Sequence, residues 1–297
     1  MITEGIIGLW RKQAEQGDAE AQYNLGKCYY NGDVVAKDEK KAAEWYLKAA
    51  EQGYDVAQCR LGFCYHYGCG VTKSYEQAAK WWRKAAEQGN SDAQISLGVC
   101  YHDGIGVAQD YGKAFEWWKK AADQGNVDAQ MKLGGCYLNG DGVEQDYKKA
   151  MELYTRTSEQ GNADAQVILG LFYYQGIGVT KNCETAFAWW KKAAEQGNSD
   201  AQCRLGDCYY NGDGVAKDEE KAIEWYTKSA EQGDVDALYL LGHCYRKKGD
   251  FDQAIHWFKK GAEQGDTRAT EMIECCQKIK SGYQAIDGIA KGFYGER

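Results

Sequence analysis

The 297-residue chain contains no proline. Average usage is about 5%, so its turns must be made by glycine, aspartate and asparagine. No apolar run approaches the roughly 18 to 20 residues of a membrane-spanning helix, and a soluble chain is expected. Basic clusters are also missing: 36 Lys and Arg stand against 44 Asp and Glu, a net charge of −8, which disfavours nucleic acid and anionic membrane as partners. The start, Met1-Ile-Thr-Glu-Gly-Ile-Ile-Gly-Leu-Trp-Arg, has an acid ahead of a short apolar stretch and no small-residue cleavage site. It does not read as a secretory signal, and a cytoplasmic location is expected. Catalytic signatures are lacking too: there is no Walker loop, no zinc-protease helix and no Gly-x-Ser-x-Gly, and nothing brings the four histidines to a nucleophile. The expectation is a non-enzymatic protein with no catalytic residue and no cofactor.

What is present is repetition. Ala-Glu-Gln-Gly, with Asp123 for Glu and Ser158 for Ala, ends at Gly17, Gly53, Gly89, Gly125, Gly161, Gly197 and Gly233, each 36 residues after the last, and once more at Gly265. A period of this length marks a unit that buries its apolar face only by stacking on copies of itself. The units are 18–53, 54–89, 90–125, 126–161, 162–197, 198–233 and a shortened 234–265, with partial units 5–17 and 266–280 and a tail or cap 281–297. One uninterrupted solenoid domain over 1–280 is expected.

Each unit reads as two helices. Asp18, Asn90, Asn126, Asn162, Asn198, Asp234 and Asp266 open the first helix as N-caps, and at Tyr54 the cap is expected to pass to Asp55. Ala21, Leu25, Cys28 and Tyr29 form one apolar stripe at about 100° per residue. Gly26 and its equivalents follow the Leu and would let a neighbouring helix approach. The loop Asn211-Gly-Asp-Gly-Val215 stops the helix. Asp38, Ser74, Asp110, Asp146, Asn182, Asp218 and Asp250 then open a second helix, which carries paired large residues such as Trp45-Tyr46 and Trp81-Trp82. Val34 replaces the second loop glycine of the first unit, so that loop is expected to differ. In the N-terminal half unit Ile6, Leu9 and Trp10 are expected to face inward, and Tyr283, Ile286, Ile289 and Phe293 are spaced to cover the C-terminal end.

The pattern Ala-x-x-x-Leu-Gly-x-x-Tyr-x-x-Gly-x-Gly-Val, then Asp-x-x-x-Ala-x-x-Trp-Tyr-x-x-Ala-Ala-x-x-Gly, resembles the Sel1-like repeat, a relative of the tetratricopeptide repeat, over roughly Ile6 to Gln277. The resemblance implies an all-α fold, an α/α superhelix or solenoid of about seven helix-pair repeats with partial repeats at both ends. It also implies use as an adaptor for a protein or peptide partner. Bacterial members of this kind are linked to signalling, envelope assembly or contact with host cells.

Cys28, Cys64, Cys100, Cys136, Cys208, Cys244 and Cys276 share one repeat position beside the core stripe, interrupted by Phe172. There cysteine acts as a small apolar residue. Equivalent helices stand about 8 to 10 Å apart, beyond the roughly 7 Å Cα limit for a disulfide, so no disulfide is expected. Cysteine-rich relatives staple each repeat with a cysteine pair that is missing here, which favours a reducing compartment. Cys59, Cys64, His66 and Cys69 cannot converge on one metal from a single helix, because Cys59 and Cys64 diverge by about 140°. Cys59, His66 and His102 on one side remain as an alternative to a plain polar groove, and no metal is expected.

The sixth, tenth and thirteenth repeat positions lie opposite the core stripe and, by the resemblance, line the concave groove. Core positions hold steady from unit to unit while these vary. The candidate ligand-binding residues are Tyr23, Lys27, Tyr30, Cys59, Phe63, His66, Ile95, Val99, His102, Met131, Leu138, Val167, Leu171, Tyr174, Tyr210, Tyr239, His243 and Arg246. Either they bind a peptide or helix, or they pack on one another across the groove. The acids Glu20, Asp92, Asp128, Asp164, Asp200 and Asp236 stand in the first helical turn, as caps and dipole partners or as an acidic rim selecting a basic segment. Two further functions stay open: weak binding or hydrolysis of cell-wall fragments or β-lactams as in cysteine-rich relatives, and self-association through Ile6 and Trp10.

Overall fold

The computed structural model describes residues 3–294, with side chains through residue 282. Sixteen α-helices and no strand form among these residues, and the fold is an α/α solenoid. Helix α1 spans Glu4–Glu15. The first helices of successive repeats are α2 (Ala19–Asn31), α4 (Asp55–Tyr67), α6 (Ser91–Asp103), α8 (Val127–Asn139), α10 (Ala163–Gln175), α12 (Ser199–Asn211) and α14 (Val235–Lys247). Second helices are α3 (Glu39–Glu51), α5 (Tyr75–Glu87), α7 (Tyr111–Asp123), α9 (Tyr147–Glu159), α11 (Cys183–Glu195), α13 (Glu219–Glu231) and α15 (Phe251–Glu263). Helix α16 runs from Thr267 to Tyr294, past the expected end at Lys280. The chain forms two compact units, Met1–Leu153 and Tyr154–Arg297.

The helix starts follow from the caps. Asp18 accepts from the Ala21 backbone N–H at 2.6 Å, and Asn90, Asn126, Asn162, Asn198 and Asp234 do the same three residues on. Tyr54 is followed by no side-chain cap, and Asp55 does not supply one: it accepts instead from the Asn90 side chain of the next repeat at 2.9 Å. All seven second-helix caps accept a backbone N–H three residues on, from Lys41 N–H to Asp38 through to Gln253 N–H to Asp250. First helices end where Gly32, Gly68, Gly104, Gly140, Gly176 and Gly212 turn left-handed.

Packing within each repeat rests on a glycine set against a ring. An added Cβ on Gly98 would stand 2.3 Å from the Trp118 indole, on Gly62 2.5 Å from Trp82, on Gly170 2.2 Å from Trp190 and on Gly206 2.5 Å from Tyr226. The glycine therefore admits a side chain of its partner helix rather than a helix backbone. The same indoles donate to carbonyls at the sixth repeat position: Trp82 to Cys59, Trp118 to Ile95 and Trp190 to Val167, at 3.1 to 3.2 Å. The other member of each aromatic pair lies under a lysine three residues later, as Lys48 over Trp45 at 4.0 Å and Lys228 over Trp225 at 3.8 Å.

Repeats join through two devices. The buried Gln58 donates to the Ala50 carbonyl of the preceding repeat and accepts at 2.8 Å from Gln88, the glutamine of Ala-Glu-Gln-Gly. Gln22 with Gln52, Gln94 with Gln124, Gln166 with Gln196 and Gln202 with Gln232 repeat this arrangement. The second loop glycine is the other device. Gly70, Gly106 and Gly142 have φ of +71° and sit so close to the carbonyls of Glu39, Tyr75 and Tyr111 that a Cβ would be 2.0 to 2.2 Å away. Val34 keeps that backbone shape, with φ +63°, so the first loop does not differ as expected. It is 49% exposed.

In α1 the expected inward face is corrected. Ile7 and Ala14 are buried, while Ile6 is 38% and Leu9 54% exposed and Trp10 is half-buried. No element among the described residues covers the Ile6 and Leu9 side. Tyr29 is likewise only half-buried, with Lys41 over its ring at 5.6 Å. The expected covering residues Tyr283, Ile286, Ile289 and Phe293 lie outside the described side chains.

Candidate interaction grooves

Consecutive first helices leave a groove between them, floored by the large residue of a second helix. In Met1–Leu153 the α2/α4 groove encloses about 210 Å³ among Lys27, Tyr30, Asn31, Arg60, Phe63, Cys64, Tyr67 and Cys69, over Tyr46. The α6/α8 groove, about 290 Å³, has Val99, His102, Asp103, Lys132, Gly135 and Asn139 over Trp118. In Tyr154–Arg297 the α12/α14 groove holds Asp207, Tyr210, Asn211, Tyr239, Leu240 and His243 over Tyr226, about 320 Å³. A neighbouring hollow of about 260 Å³ adds Asp200, Cys203, Arg204, Asp236 and Arg268.

The structure sorts the candidate residues by position. Tenth- and thirteenth-position side chains reach the grooves at Lys27, Tyr30, Phe63, Val99, His102, Tyr210 and His243. The sixth position mostly forms the seam instead. Cys59 and Val167 are 4% and 6% exposed and offer no surface to a ligand. Their carbonyls face the second-helix indole, which fixes the backbone and turns the side chain into the packing. Ile95 is half-buried in the same role, and Tyr23 packs against the rings of Tyr46 and Tyr54 at 5.7 and 5.6 Å. Tyr239 is the exception, reaching the groove while resting on His243 and Phe258.

Several candidates pack where they stand. His66 is ringed by Tyr67, Tyr75 and Trp82 with its Nδ1 buried and unpartnered, and burial with nearby Lys73 lowers its pKa. Tyr174 donates to Asp213 at 3.1 Å and lies 5.3 Å from Trp190, next to Leu171. Arg246 approaches His243 at 3.5 Å. Met131 and Leu138 are half-buried on α8.

Groove electrostatics differ from repeat to repeat. Asp207 is largely enclosed, and burial raises its carboxyl pKa despite the Tyr226 hydroxyl donating to it at 2.7 Å. Burial and Arg246 lower the pKa of His243, which favours the neutral imidazole. The third-position acids do not cap; Asp164 accepts from Asn198, Asp200 pairs with Arg204 and Asp236 with Arg268. The ladder cysteines are buried, and burial pushes Cys64, Cys136 and Cys208 up to about 12. Such thiols are poor nucleophiles and poor ligands. Among the described residues no group of three or more His, Cys, Asp and Glu is placed to hold a metal.

Sequence reasoning missed the seventh position (Arg60, Lys132, Arg204, Leu240) and the fourteenth (Asn31, Tyr67, Asp103, Asn139, Asn211), which line the grooves as fully as the tenth. Spacings of three and four residues from the tenth place both on its helix face, and that signal was available.

The Sel1 repeat model matches residues 19–54, 55–90, 91–126, 127–162, 163–198 and 199–234, and a tetratricopeptide repeat model matches 235–264. A protective antigen of uropathogenic Escherichia coli displaying an SLR fold is 38% identical with a TM-score of 0.70, over 90% of this chain and 66% of its own. The chain thus spans just under two thirds of that protein's length. A Sel1 repeat protein from Oxalobacter formigenes is 34% identical with a TM-score of 0.78, over 91% of this chain and 80% of its own. Yeast Tom70 shares the fold alone, at 15% identity and a TM-score of 0.57, over 99% of this chain and 62% of its own. No curated protein matches the chain. No helix among the described residues is long and apolar enough to cross a membrane.

Proposed function

The chain belongs to the Sel1 repeat family, and from that membership we propose that it is a non-enzymatic scaffold that holds a peptide or helix of a protein partner in the grooves between its first helices. Sel1 and tetratricopeptide repeat proteins generally mediate protein–protein interaction, on a scaffold that is typically non-catalytic. One observation carries the reading for this chain. The α2/α4, α6/α8 and α12/α14 grooves fall at the same place in their repeats, and their linings change while a glycine set against an aromatic ring, Tyr or Trp, stays beneath each. Constant packing below a changing surface suits recognition of a specific partner.

The test is capture of a partner from native lysate by the full chain and by Tyr30→Ala, Phe63→Ala and Tyr210→Ala variants. Weaker capture with an unchanged melting temperature is expected. Undiminished capture by all three would count against the groove. A second reading rests on the exposed Ile6 and Leu9 of α1, which would join one copy to another. Light scattering should then show a mass that rises with concentration and stops rising in Leu9→Glu; a constant monomer mass would dismiss it.

A further inference from the structure

We propose that the α2/α4 groove receives an acidic peptide segment in which a carboxylate stands beside an aromatic side chain; this rests on the groove reading above and names the chemistry of its occupant.

The charged groups lining this groove are Lys27 and Arg60, one from each wall, with no acid among them. The three other hollows described above each include aspartate: Asp103 and Asp141 in one, Asp207 in the next, and Asp200, Asp207 and Asp236 in the last. In a chain of net charge −8, a cation pair facing an acid-free groove is a local reversal. The nearby acids are engaged elsewhere, Asp33 by the Asn31 amide at 2.9 Å and Glu39 by Lys37 at 2.8 Å. Lys27 and Arg60 therefore lack a carboxylate in the groove, and an incoming one would gain charge-assisted hydrogen bonds from both.

The rest of the lining is aromatic. Tyr30 stands on one wall, Phe63 and Tyr67 on the other, and Tyr46 forms the floor. Tyr67 is 68% exposed and lies parallel to Phe63, with ring centroids 6.5 Å apart and planes 7° from parallel. An exposed ring stacked beside a partly buried one is a ready contact surface for a third ring. Rings with two cations suit a segment such as Phe-Glu, not a basic one and not a purely apolar helix.

The experiment measures, by fluorescence anisotropy, binding of the labelled peptide Gly-Ser-Phe-Glu-Gly-Ser to the full chain, with peptides carrying Gln or Lys for Glu, or Ala for Phe. The Phe-Glu peptide should bind at least about tenfold tighter than each of the others, and the preference should shrink with added salt. In a Lys27→Gln/Arg60→Gln variant, both positions being exposed, the Glu-over-Gln preference should vanish with the melting temperature unchanged. Tyr67→Ala should erase the Phe-over-Ala preference. Equal affinity for the Glu and Gln peptides, a preference surviving the double variant, tighter binding of the Lys peptide, or no binding of any would overturn the proposal. Phe63→Ala separates the two levels: if it still weakens the peptides while the Glu preference is absent, the acidic occupant is wrong and the groove stands. If it changes no affinity, the groove reading fails as well.

Discussion

Single residues here are held by distances that leave little slack. Gly98 is the clearest, since any side chain must enter the Trp118 indole. Overpacking of this kind costs about 1 to 3 kcal/mol, so Gly98→Ala should lower stability by that much in chemical denaturation. Val34 is the opposite case, a β-branched residue at φ +63° in open surroundings. Relief of left-handed strain, less the added freedom of glycine when unfolded, should make Val34→Gly more stable by about 1 kcal/mol. Asp207 offers a third test. Its folded carboxyl pKa lies above the ordinary 3.8 because burial disfavours the charge. Its contribution is therefore best below 3.8 and is lost as pH rises through the folded value. Asp207→Asn should raise the melting temperature at pH 7, and the gain should fade on acidification. The cysteines follow the same logic of enclosure. Alkylation of the native protein at pH 8 should reach Cys69, Cys183 and Cys275, the three that are not buried, and all twelve once the chain is unfolded. A shortfall from twelve without reductant would reveal disulfides.

At the scale of helices, the paired glutamines link one repeat to the next. Gln88→Ala would leave the Gln58 carbonyl oxygen enclosed without its donor, at a cost of about 1 to 3 kcal/mol. Position 238 carries leucine where other repeats carry this glutamine, and it is fully buried. Gln58→Leu combined with Gln88→Ala should therefore cost less than the two single changes summed, as a double-mutant cycle can show. Acid should loosen the helices in two stages. His66 and His243 have folded pKa values below 6.5, so the stability they contribute is present above 6.5 and is lost as pH falls through their folded values. The second-helix caps Asp38, Asp110, Asp146 and Asp218 sit below 3.8 because lysine backbone N–H groups and side chains hold their carboxylates. Their contribution persists above 3.8 and goes as pH falls through the lowered values. These caps were legible in the sequence, as were the period and the cysteine ladder, because each is a residue type at a fixed interval. The groove was legible in part. Lys27, Tyr30 and Phe63 stood out by their variation, but Arg60 and Tyr67, about one helical turn away on the same face, were passed over. The seam at Cys59 and Val167 was hidden for another reason: what the indoles grip is a backbone carbonyl, which every residue has.

Across the whole molecule, stability is built from neighbouring contacts. In such arrays a local lesion weakens the repeat that carries it and those beside it. Hydrogen exchange in Gly98→Ala should speed up most in α6 and α7 and progressively less toward α2; uniform acceleration over Met1–Leu153 would show that this unit unfolds as a block. The separation of constant supports from changing linings also means that groove chemistry can be altered repeat by repeat, as the charge contrast between the α2/α4 and α12/α14 grooves illustrates. The loop glycines carry this further. Gly106 rests on Tyr75 and Gly142 on Tyr111, while Gln94 reaches back to Ala86 and Gln130 to Ala122. Loss of residues 90–125 by recombination would set Gly142 on Tyr75 and Gln130 on Ala86, the same residue types at both junctions. Whole repeats are thus interchangeable parts, and a lineage carrying this chain can gain or discard a groove by duplication or deletion without inventing a new joint.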